Sequence, residues 1–179
     1  MSYFAAAVVR EPEGWRASEV SLTDAADVED VADRLREVAS DADVSLLFVE
    51  SDDSYLVILR LDGGEDLRVF GSDAAFAEES RLGALLLGDV QTPSVDPVEP
   101  PDGIHAASTL DVEEEVGGVS ATDAAVAEPA GDAELLTDLG VPADRLLALC
   151  SHEGMLPSDI TAEVCQAIGA GDEIEELRE

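Results

Sequence analysis

The chain of 179 residues has no lysine and no asparagine, and all nine of its basic residues are arginine. Both missing amino acids have A-rich codons, so their absence points to a G+C-rich genome. Without lysine no G-x-x-x-x-G-K-[ST] phosphate loop can form. Nine arginines against 42 acidic residues leave a formal charge of −33, and nucleic-acid binding depends on cationic side chains displacing counterions from phosphate. Direct binding of tRNA or DNA is therefore not expected, whereas a basic protein partner suits the field. Solubility alone, or a salt-rich habitat, accounts for the acidity equally well.

Other scarcities narrow the choice further. Cys150 and Cys165 are the only cysteines, and in a chain whose start reads as a strand rather than a basic leader they imply no disulfide framework. No apolar run reaches the roughly 18 residues of a membrane-spanning helix, so a cytoplasmic protein is expected. With two histidines and no G-x-S-x-G elbow, a nucleophilic triad has little to draw on. GAGDE at 169–173 is too short and misplaced for a dinucleotide fingerprint. Aromatic residues make up only 4% of the chain against 46% apolar residues. A core is available, and it must be built from Val, Leu and Ala.

What is present falls into three segments. Over residues 1–88, SYFAAAVVRE and WRASEVSL flank the turn residues EPEG as a hairpin. In DVEDVADRLREVA, Val28, Val31, Ala32, Leu35 and Val38 recur at helical spacing, opposite Glu29, Asp33, Arg36 and Glu37. VSLLFVE is apolar on both alternating faces, as a central strand would be, and Asp52-Asp53 and DGGED join it to YLVILRL and LRVF in a meander. Ser72 is expected to cap one further helix, DAAFAEESRLGALLLG, packing through Ala75, Phe76, Leu82 and Leu86. Arg60 and Arg68 can share one face of adjacent strands, either as an anion site or, more economically, as partners of nearby carboxylates.

Residues 89–131 hold ten acidic and no basic residues, five prolines and no sustained apolar period. Such a stretch buries too little surface to offset its ordering entropy and reads as a disordered linker. Within it, residues 110–116 either order on a basic partner or act as part of a self-repelling spacer. Residues 132–179 return to helical patterning. LGVP and EGMLP punctuate it, with Gly140 and Gly154 as left-handed stops and Pro142 and Pro157 opening the next helices. The fold class is therefore α+β: an antiparallel sheet of about five strands with two packed helices, an acidic disordered linker, and a small all-α C-terminal unit. A unit of that size needs support from the first segment or a partner.

The densest cluster of chemical groups is LLALCSHEGMLPSDI, residues 146–160. A metal site would join Cys150, His152 and Cys165, with Glu153 or water as fourth ligand and a metal-dependent enzyme as the consequence. Structural zinc sites favour paired spacings such as C-x2-C, and the C-x-H here followed by a lone Cys is not one. Packing explains the same residues: Cys150 lies four positions after Leu146, Cys165 adjoins Val164, and His152 falls where a helix ends. No catalytic, cofactor-binding or metal-binding residue is assigned on these grounds, and no cofactor is expected.

SYFAAAVVR, LLFVESDDSYLVILRLDGGEDLRVF with its following S-D-A, and DLGVPADRLLALCSHEGMLPSDI together resemble the bacterial proteins described as tRNA adenosine deaminase-associated. The resemblance covers the first and third segments, with LLALCSHEGMLPSDI its most specific part. It implies an association with the wobble adenosine deaminase of tRNA and brings no catalytic residues with it. The chain does not resemble the deaminase itself, which needs H-x-E and P-C-x-x-C elements that are absent here. The charge of −33, the lack of catalytic motifs and the resemblance together point to a non-catalytic accessory bound to a basic protein partner, unless the association is only one of neighbouring genes.

Overall fold

The computed structural model describes residues 3–38, 42–51, 54–88, 128–152 and 154–179. Six antiparallel strands form one sheet in the order β2-β1-β3-β4-β5-β6. β1 (Tyr3–Glu11) and β2 (Gly14–Glu19) make the hairpin read from sequence. α1 (Val28–Val38) then carries the chain over β1 to β3 (Val44–Ser51). β2 and β3 both run antiparallel to β1, so a helix-length connection is required between them. β4 (Tyr55–Asp62) and β5 (Asp66–Gly71) complete the meander.

Every residue of β3 is buried because both faces of the sheet are covered. On one face, Val31 and Leu35 of α1 pack with Leu47, Val49, Val57 and Leu59. Asp27 accepts a hydrogen bond from the Asp30 N–H, and Asp30 accepts one from the Ala26 N–H, so the acidic entry to α1 satisfies its own first donors.

The same face carries a departure from the expected single helix. DAAFAEESRLGALLLG is broken into α2 (Ala74–Glu79) and α3 (Arg81–Leu87). Ser80 is responsible: its buried hydroxyl caps α3 by accepting from the Gly83 N–H at 3.3 Å and lies 3.1 Å from the Tyr55 hydroxyl. Leu86 is buried and Leu82 packs alongside, but Ala75 is exposed. Ser72 does not cap. Its hydroxyl accepts from the Leu56 N–H at 2.9 Å inside the core. The Phe76 side chain, the Asp52-Asp53 turn, Glu153 and residues 89–127, including the segment 110–116, lie outside the described residues.

The other face is covered by the C-terminal segment. A sixth strand, β6 (Ala130–Gly131), at the end of the stretch read as linker, pairs with Gly71 and Phe70 of β5. Gly131 has φ +88°, and a Cβ there would sit 2.1 Å from the Val69 carbonyl oxygen. Gly131→Ala is therefore expected to cost about 2 kcal/mol through left-handed strain and displacement of β5, measured by urea unfolding. An unchanged midpoint would show that β6 does not hold.

After a 3-10 turn (Thr137–Leu139), α4 (Ala143–Cys150), α5 (Pro157–Ile168) and α6 (Gly171–Arg178) form the second helical layer. Gly140 and Gly169, at φ +99° and +89°, close their helices with paired backbone bonds, Val141 N–H to Leu136 and Ala170 N–H to Cys165 being the longer-range ones. Leu135, Leu136, Val141, Leu146, Ile160, Val164 and Ile174 share one core with Leu46, Phe48, Leu56, Ile58 and Phe70 of the sheet. The support expected for a small helical unit is the sheet itself.

Candidate functional site

Two arginines fix the C-terminal layer on the sheet. Arg60, 4% exposed, donates to Asp62 on its own strand, to Asp138 in the 3-10 turn and to the Leu135 carbonyl oxygen. Arg68 faces Arg60 across β4 and β5 and shares Asp62 with it at 2.7 Å. Adjacent cations on one sheet face are tolerable because Asp62 lies between them. This is the carboxylate-partner arrangement, and both guanidinium groups are engaged within the chain. At the other end of the layer, Arg178 pairs with Glu50 of β3, which is 7% exposed, and lies 5.3 Å from the centre of the Phe4 ring.

The network carries a pH dependence. The Asp138 hydrogen bond holds the Arg60 guanidinium charged against the cost of its burial. Burial alone would raise Asp62, but hydrogen bonds from Arg60 and Arg68 outweigh it and hold this carboxyl below the ordinary range. The Arg60 hydrogen bond likewise lowers Asp138. Carboxylates lowered in the folded state add stability above their unfolded pKa, here the ordinary value of 3.8. That stability is lost as pH falls through the lower folded values. Unfolding free energy is therefore expected to fall below about pH 5, and Arg60→Met should flatten that fall. Equal slopes for the two proteins would rule the network out as its source.

The structure does not assemble the three residues weighed as metal ligands into a group that could hold an ion. Cys150 ends α4 half-buried, and burial pushes its thiol up to about 11. Cys165 is fully buried in α5, and burial pushes its thiol up to about 12. Burial thus disfavours the thiolate at both positions, the form that nucleophilic attack needs. His152 is exposed in the turn after α4. Among the described residues, no group of three or more His, Cys, Asp or Glu side chains could hold a metal ion.

His152 instead lines a groove of about 850 Å³ between the α4–α5 turn, α5 and the start of α6. Its apolar contributors are Leu149 and Met155, and its walls carry Asp159 and Glu163 of α5 and Asp172 and Glu175 of α6, all four exposed. Glu163 makes a loose 3.8 Å pair with Arg145. Leu156, next to Met155, is the one large hydrophobic residue exposed among the described residues, at 41%. It occupies the N-cap of α5, where its side chain can accept nothing and Asp159 takes the backbone N–H at 3.3 Å.

The sequence reading singles out His152 but not the acidic residues of the groove, although a signal for them exists. Asp159 and Glu163 are four apart on one helix and Asp172 and Glu175 three apart on the next, so each pair shares a face. That the two faces meet depends on the Gly169 turn. Among the described residues, no helix is long and apolar enough to cross a membrane.

No curated protein and no solved structure matches the chain. Over residues 3–171, however, it matches the family described as Rv3753c-like tRNA adenosine deaminase-associated protein, and the chain belongs to that family. The matched span includes the sheet, both helical layers up to the start of α6, and most of the groove.

Proposed function

We propose that this member of the deaminase-associated family is a non-catalytic cytoplasmic accessory that binds tRNA adenosine deaminase through its acidic surface. The observation that carries the reading is the formal charge of −33. That charge is already net of all nine arginines, and Arg34, Arg36, Arg60, Arg68 and Arg178 are engaged by the chain's own carboxylates and carbonyl oxygens. An enzyme that acts on tRNA needs cationic side chains against phosphate. An acidic protein is complementary to that face and gains in encounter rate and orientation from long-range attraction. The family is described by its association with the deaminase, and the chain lacks the H-x-E and P-C-x-x-C elements of a zinc deaminase.

The reading is tested by pull-down of the same organism's deaminase on the immobilised chain at physiological salt. Recovery at near-equal stoichiometry is expected. If no deaminase is retained at physiological or lower salt, the accessory role is abandoned.

A further inference from the structure

The groove between α5 and α6 combines three features that the fold does not require of itself. The first is shape: about 850 Å³ is room for several side chains, and the floor offers Leu149 and Met155. Charge is the second, since four exposed carboxylates line the space and, of these, Glu163 has a loose pair with Arg145. The third stands beside the groove: Leu156, next to Met155 but outside the lining. A helix N-cap favours Ser, Thr, Asp or Asn, whose side chains accept from the first turn. Leu156 is unfavourable for the chain's own stability on that count, and such local departures mark positions occupied for another purpose. Elsewhere among the described residues, Arg60 and Arg68 are internally paired, Cys165 is buried and Cys150 is half-buried.

We infer that this groove is the docking site for an amphipathic, arginine- or lysine-bearing segment of a partner protein. The segment's apolar side chain sits on Leu149 and Met155, with Leu156 at the edge beside Met155, and its cations face Asp159, Glu163, Asp172 and Glu175. Apolar anchoring in a groove with a charged rim is how amphipathic helices are recognised generally. The apolar contact supplies most of the affinity, and the charges supply orientation and encounter rate. The identity of the partner as the deaminase rests on the accessory role proposed above, whereas the chemistry of the groove does not.

The test uses the full chain and two probes: the same organism's deaminase, and a synthetic 18-residue peptide with Leu and Arg on opposite helical faces. The groove variant combines Leu156→Ser, Glu163→Gln and Glu175→Gln, leaving the capping residue Asp159 in place. The control variant is Glu29→Gln with Glu37→Gln, on α1 across the sheet. Calorimetry is expected to show at least about tenfold weaker binding of both probes to the groove variant and less than about twofold change for the control. The melting temperature of Leu156→Ser alone should not fall, because Ser is the better cap. That separates lost docking from lost folding.

Normal deaminase binding by the groove variant would overturn the groove and leave the accessory role standing. Peptide bound at the groove with no deaminase bound would uphold the groove and defeat the deaminase as partner. Binding of neither probe, or amide shifts from the peptide that fall outside 149–175, would overturn the proposal.

Discussion

Arg60→Ala is expected to lower the unfolding free energy by about 3 kcal/mol, read from urea denaturation at pH 7. The substitution removes the donor from the Leu135 carbonyl oxygen and one partner from each of two aspartates. The estimate sits at the lower end of the range for breaking a buried pair because Asp138 is 57% exposed and can be rehydrated. Asp62 also retains Arg68. Arg60→Met, which keeps the buried stem without the charge, should recover part of the loss. A change below about 1 kcal/mol for the alanine variant would mean that the C-terminal layer is held by apolar packing alone.

Truncating the chain after Gly88 should have a larger effect, abolishing cooperative folding. The cut uncovers Leu46, Phe48, Leu56, Ile58 and Phe70, all fully buried beneath the C-terminal layer. At about 2 kcal/mol for each side chain the loss is about 10 kcal/mol, as large as the whole stability of an ordinary domain. The fragment is expected to bind hydrophobic dye and to lack a sharp thermal transition. A sharp transition in residues 1–88 alone would show that the layers fold independently.

Local pattern made much of this architecture legible in the sequence. The 3.6 period in DVEDVADRLREVA gave the buried face of α1, and the unbroken apolar run of VSLLFVE gave a central strand covered on both sides. Gly140, followed by Val141, marked a helix stop by chemistry that two residues suffice to specify. β6 escaped because two residues carry no period and lie at the end of a Pro-rich acidic stretch. The break at Ser80 escaped because the apolar spacing continues through it, and only the buried hydroxyl reveals the new cap. Arg60 and Asp138 are 78 positions apart, so their pairing follows from how the 3-10 turn lands on β4. The groove was hidden for the same reason, as neither helix that walls it carries the site alone.

The account's central claim is that an acidic protein surface competes for the basic face of a tRNA-binding partner. Analytical ultracentrifugation of the chain mixed with its own organism's tRNA adenosine deaminase, at low and moderate salt and with and without tRNA, tests it most directly. A complex that weakens with salt and is displaced by tRNA is the expected result. A complex indifferent to both salt and tRNA, or none in any condition, would contradict it.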